Sequence, residues 1–316
     1  MVFNSTSFLI FFPIVVLVYF IMPRKIRYIW LLIASYYFYM SWNAKYAILI
    51  GFSTIITYLS GLCIGWINGS GVNNKVKVKK IVVAASFGIN ILILVVFKYS
   101  GFILDSLNII LKESGIRVLE MPFDIVLPVG ISFYTFQALS YTMDVYRGDI
   151  SAEKNILKYA LFVSFFPQLV AGPIERSINL ISQISEIPKT KIEYERIANG
   201  LIIMVWGFFL KLVIADRIAI LVNTVFDRYY MYGTVELIVA AMGFALQIYC
   251  DFSSYSTIAI GASQIMGITL MENFNVPYFS RSIKEFWRRW HISLSTWFKD
   301  YLYIPLGGNR CSRGRA

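Results

Sequence analysis

The chain has 316 residues, is 58% hydrophobic and only 15% charged, and carries a formal net charge of +11. Soluble domains run at roughly 45–50% apolar and about 25% charged, so a water-facing fold of this length could not bury this much apolar surface and lipid is the expected solvent. The Lys and Arg residues cluster between apolar runs and no nucleic-acid module is present, so the charge reads as membrane topology and not as nucleic-acid binding.

The first apolar run, "SFLIFFPIVVLVYFIM", has no basic residue before it and "PRKIR" after it. That order marks a retained first span with its N-terminus outside, not a cleaved signal. Further runs of about the length a span needs follow at 28–42, 46–67, 81–104, 121–143, 156–171, 197–214 and 235–262. "PRKIR" and "NNKVKVKK" are strongly basic and are expected on the cytoplasmic side, with 43–45 and 106–120 outside and 147–154 inside. The segment "SINLISQISEIPKTKIEYER" is polar and also reads as cytoplasmic. The run before it must then dip into the membrane and return. Its "FFPQLVAGPIER" carries Pro167, Gly172 and Pro173, which cannot continue a regular helix. One polytopic domain over 1–316 is expected, all-α, with re-entrant or interfacial helices.

Polar groups interrupt these runs. "QIYCDFSSYSTIAIG" holds Gln247 and Asp251, "LPVGISFYTFQALSYTMDVYRG" holds Gln137 and Asp144, and Lys211, Asp216 and Arg217 are expected to mark a membrane boundary. Taken singly, each is explained by helix–helix hydrogen bonding; together they point to a polar interior. The three cysteines share no metal-ligand spacing, and a single histidine argues against a His-based metal site.

That histidine, His291, lies in "EFWRRWHISLSTWFKDYLYIPLGGNR". Read as one helix over 287–301, the segment sets Trp287, Trp290, Leu294, Trp297 and Tyr301 on one stripe and Arg288, Ser295 and Lys299 on another face. An interfacial anchor accounts for the Trp and Arg residues but not for the histidine. A histidine can move a proton to or from a hydroxyl or thiol, and neighbouring Arg residues keep its ring neutral and attract an anionic donor.

The segment closely resembles the signature of the membrane-bound O-acyltransferase family, most of all its bacterial branch that O-acetylates alginate, peptidoglycan and related polymers. "LPVGISFYTFQALSYTMDVYRG", "FFPQLVAGPIER" and "QIYCDFSSYSTIAIGASQIMGITLMENFNVPY" share the resemblance, which extends over nearly the whole chain. It implies an acetyltransferase of the bacterial cytoplasmic membrane. No bound cofactor is implied. The donor would be acetyl-CoA or another acyl thioester, the acceptor a cell-surface polysaccharide, and an extracytoplasmic acyltransferase partner protein would complete the transfer. Carried onto this sequence, His291 is the catalytic residue, Arg288 and Arg289 hold donor anions beside Trp290, Asp300 and Asn309 orient the site, and Gln168 and Asp251 line its polar wall. The family's second histidine, in a Trp-His-Gly motif, is absent from these 316 residues. The C-terminal part of the family fold is therefore expected to be missing and the chain inactive alone. Alternative readings are D-alanyl transfer to teichoic acid, a transporter and a non-catalytic membrane scaffold.

Overall fold

The computed structural model describes residues 1–71, 73–114, 117, 119, 128–170 and 172–308, so Asn309 and Cys311 lie outside the described residues. Helices occupy the expected runs in order: α1 Thr6–Ile21, α2 Arg27–Met40, α3 Tyr46–Gly69, α4 Lys75–Glu113, α5 Ile131–Arg147, α6 Ile156–Ser164, α7 Phe166–Leu169, α8 Ser177–Glu186, α9 Tyr194–Phe209, α10 Asp216–Asp227 and α11 Thr234–Ile265. Two short helices follow, α12 Ile283–Arg289 and α13 Ile292–Phe298, and no strand occurs among the described residues. Among the described residues four helices are long and apolar enough to cross a membrane: α3, α4, the continuous Tyr194–Asp227 rod and α11. Their outer faces carry bare apolar side chains such as Ile48, Phe102 and Met242, which water would penalise and lipid does not.

The sixth apolar run breaks as its Pro and Gly content predicts, and several backbone groups freed by the break find partners. Helix α6 opens on Asn155, whose Oδ1 accepts the Leu157 N–H at 2.9 Å. It ends at Phe165, which is not helical (ψ 109°). Next, the Phe166 N–H donates to Ser35 Oγ of α2 at 3.1 Å. The Phe162 carbonyl accepts two side-chain amides, from Gln137 at 2.5 Å and Gln168 at 3.1 Å. Irregular backbone is tolerated at membrane depth only with such partners.

The basic segments meet at one end of the bundle. Arg27 of "PRKIR" donates to the Thr190 carbonyl at 2.8 Å, Tyr58 of α3 to the Lys154 carbonyl at 2.6 Å, and Tyr19 to the Met266 carbonyl at 2.9 Å. Lys79 sits over the Tyr146 ring at 5.7 Å. At the opposite end the Met1 ammonium donates to Ser41 Oγ at 2.7 Å and Trp42 Nε1 to the Met1 carbonyl at 2.8 Å. Helices α9 and α11 pack backbone to backbone: a Cβ on Gly261 would come within 2.5 Å of the Gly200 carbonyl oxygen, the close approach that small residues permit between membrane helices.

The helix does not end at Lys211, Asp216 and Arg217: it runs through them, widened by a π-helical segment at Leu210–Ala215. The bulge turns Lys211 onto two carboxylates, Asp251 at 2.5 Å and Asp216 at 2.9 Å, so the charge is paired where it stands. Nor is 287–301 one helix. His291 has φ 43°, α12 stops before it and α13 starts after it. The Trp stripe is thereby divided: Trp287 is 56% exposed and Trp297 only 4%.

Candidate functional site

The break at His291 is held by the loop that follows α11. The Ile292 N–H donates to the Asn273 backbone carbonyl at 2.9 Å, and the Ser295 N–H to the His291 carbonyl at 3.0 Å. A non-Gly residue at positive φ is strained, and these bonds on both sides impose it. The ring is buried among aromatic side chains, edge-on to Phe252 at 4.7 Å and roughly parallel to Phe133 at 6.3 Å. Its Nδ1 lies 3.2 Å from Asn273 Oδ1. Burial lowers its pKa from 6.5 to about 4, so the imidazole is neutral at physiological pH.

Asn273 is itself buried and ties α11 to the start of α13. Its Oδ1 accepts from Ser293 Oγ at 2.7 Å and its Nδ2 donates to Ser256 Oγ of α11 at 3.0 Å. Ser293 Oγ in turn accepts the Ile174 N–H at 3.1 Å, which joins the "GPIER" loop to the histidine segment. In the same loop Glu175, 1% exposed, accepts the Met271 N–H and, at 2.7 Å, the Asn179 amide. Burial raises its carboxyl pKa.

A second polar group lies at the basic end. A cleft of about 680 Å³ opens there between the end of α5, the start of α8 and the segment after α13. Arg147 and Arg176 both lie over the Tyr301 ring, at 5.2 and 4.7 Å. Arg176 pairs with Asp300 at 2.8 Å, and Arg147 donates to the Asp300 backbone carbonyl at 2.6 Å. Asp144, which also lines the cleft, is engaged by the Tyr301 hydroxyl at 2.7 Å and by Ser177 Oγ. The Asp144 and Asp300 carboxylates are thus engaged, while Asp149 also lines the cleft. Among the described residues Arg147 has a carbonyl as its hydrogen-bond partner, and Arg176 Nη1 is buried without one. His291 heads α13 and Asp300 lies just past its other end. At 1.5 Å per residue the two sites are about 14 Å apart along one helical rod.

The sequence-predicted residues divide between these places. His291 and Asp300 stand at the two ends of the rod. Trp290 packs on Phe286 at 5.5 Å and on Tyr249 at 6.2 Å. Tyr249 lies about 24 Å up α11 from its basic end at helical rise, so Trp290, Arg288 and Arg289 are on the far side of His291 from the cleft. Arg289 pairs with Glu285 at 2.7 Å and Arg288 is exposed. Gln168 is buried against the broken end of α6. Asp251 faces Lys211, while its neighbour Phe252 faces the histidine. Asn309 lies outside the described residues. Asn273, Ser293, Glu175 and Arg176 were not singled out from sequence. The signal available was their polarity in short segments flanking the last spans, "MENFN", "HIS" and "GPIER".

Known proteins share this chain. The family model for membrane-bound O-acyltransferases matches residues 149–316, which include the cleft arginine Arg176, Asn273 and the histidine segment. The chain is 42% identical to the probable alginate O-acetylase AlgI of Pseudomonas aeruginosa over 99% of its own length and 58% of that protein's. To the peptidoglycan O-acetyltransferase of Helicobacter pylori it is 35% identical, over 98% of this chain and 62% of that protein. To the teichoic acid D-alanyltransferase of Bacillus subtilis it is 33% identical, over 58% of this chain and 46% of that protein. The chain thus spans less than two thirds of the length of these relatives. With the family match covering more than half of the chain, including the last spans, the histidine segment and Arg176 and Asp300 of the cleft, this chain belongs to the membrane-bound O-acyltransferase family.

Proposed function

We propose that the protein is an O-acyltransferase of the bacterial cytoplasmic membrane. In this reading it moves an acetyl group from a cytoplasmic thioester toward hydroxyls of an exported polysaccharide, and an extracytoplasmic partner protein delivers it to the polymer. One observation carries the reading: the sole histidine is buried and neutral at the head of α13, and the other end of that rod enters an arginine-lined cleft among the basic segments. Names of relatives that acetylate alginate and peptidoglycan support the acyl group and acceptor class.

The chemistry follows from the geometry. A donor such as acetyl-CoA enters at the basic end, where exposed Arg147 meets its phosphates and Arg176, paired with Asp300, adds positive charge at the cleft wall. In this reading Arg288 and Arg289, beyond His291, do not touch the donor. The acyl arm runs along α13 toward His291. There the neutral ring takes the proton of an attacking hydroxyl, the new C–O bond forms, the C–S bond breaks, and the ring returns its proton to the leaving thiolate. The aromatic walls exclude water that would hydrolyse the thioester.

The test uses full-length protein in proteoliposomes with radiolabelled acetyl-CoA. Arg147→Ala should raise the donor KM by roughly tenfold or more, as expected for losing a charge-assisted hydrogen bond, and Arg176→Ala should raise it too. Unchanged donor KM in both variants would remove the cleft from the donor path. Binding of a partner protein without acyl transfer would make the protein a scaffold.

A further inference from the structure

Asn273 meets His291 through an atom that can only accept. Its Oδ1 takes the Ser293 hydroxyl at 2.7 Å and the Ser293 backbone N–H at 3.3 Å. A backbone N–H has no lone pair, so turning the Asn273 amide over would set two donors face to face. Its Nδ2 is engaged with Ser256 at 3.0 Å. The same Oδ1 lies 3.2 Å from His291 Nδ1. Facing an acceptor, Nδ1 must carry the proton of the neutral ring, which leaves the lone pair on Nε2.

We infer that Asn273 is a positioning residue: it fixes His291 as the Nδ1–H tautomer and so presents Nε2 as the base. The inference rests on the role proposed for His291. Asn273 is well placed for the task. It is 1% exposed, and its own backbone carbonyl holds the Ile292 N–H at 2.9 Å. The segment leading to it is pinned to α8 by paired bonds between Thr269 and the Gln183 amide, at 2.7 and 2.9 Å, and by Glu175 at Met271. Nε2 has no hydrogen-bond partner among the described residues. During transfer Nε2 takes the hydroxyl proton while the Nδ1–H stays on Asn273. An amide holds that proton in place without the charge by which a carboxylate would stabilise the imidazolium, so the ring gives its acquired proton back readily to the leaving thiolate.

His291 is the only histidine in these 316 residues, and in full-length protein labelled at the histidine ring nitrogens its imidazole signals are assigned as the set that disappears in His291→Gln. In full-length wild type at neutral pH the signals so assigned to His291 should show Nδ1 protonated and Nε2 bearing the lone pair. Asn273→Ala should shift the population toward Nε2–H and lower kcat by at least roughly tenfold, as when a triad imidazole loses its orienting partner, with donor KM unchanged. Asn273→Asp should keep the Nδ1–H form and raise the pH at which the ring protonates. An Nε2–H ring in wild type, or an unchanged tautomer in folded Asn273→Ala, would overturn the inference. Transfer that survives His291→Ala would instead overturn the reading beneath it, and the tautomer measurement separates the two failures.

Discussion

His291 joins two features that rarely coincide, a buried ionisable ring and a positive φ. Its pKa, lowered from 6.5 to about 4 by burial, has a stability consequence with a definite sign. Between those values the unfolded chain binds a proton at this residue and the folded chain does not. Folding is therefore opposed as pH falls from 6.5 toward about 4, and the residue has no effect above that window. Replacing His291 with Gln should flatten the acid-side loss of thermal stability in that interval, measured in detergent with wild type as reference. An identical acid profile in both proteins would mean that the ring is not buried neutral. The residue itself was legible in the sequence, since one histidine in a chain this apolar has few bland explanations. Its partner was not. Asn273 stands 18 residues away across a helix break, and neither periodicity nor motif spacing encodes a contact made by a loop folding back into the bundle. For the same reason Arg176 escaped notice: its neighbours Asp300 and Tyr301 come from a segment more than a hundred residues later.

Elements follow hydropathy closely, because an apolar run in lipid has no choice but to close its own backbone hydrogen bonds. The departures occur where a side chain supplies an alternative. At Phe165 Ser35 and two glutamine amides satisfy the freed backbone groups. At His291 Asn273 does so through its backbone carbonyl. Periodicity cannot foresee either partner, which is why 287–301 reads as one helix in sequence and folds as two. The π-helical segment at Leu210–Ala215 is a third such place. There Lys211, 14% exposed, bridges Asp216 and Asp251, each nearly half exposed. Lys211→Met should destabilise the protein by about 1–3 kcal/mol, because two carboxylates lose their cation together. Asp251→Asn should cost less, since Asp216 still pairs. Thermal unfolding of the two variants in matched detergent orders them, and an equal effect would show that the bridge is not shared.

At the scale of the molecule, charge order and fold agree. The segments that the positive-inside rule assigns to the cytoplasm share one end of the bundle, and the N-terminus and Trp42 share the other. Single-cysteine variants in intact cells should label from outside at position 44 and resist labelling at position 77; the reverse pattern would invert the molecule and place the arginine cleft outside. The cytoplasmic placement matters because the account sends a thioester in from that end and uses its acyl group at His291, about 14 Å deeper by helical rise. The most direct test is single-turnover transfer from labelled acetyl-CoA by the full-length protein in proteoliposomes, comparing wild type with His291→Ala. The account predicts a loss of roughly 10²–10⁴-fold in the transfer step with donor binding retained. A mutant that binds and transfers at the wild-type rate would contradict it.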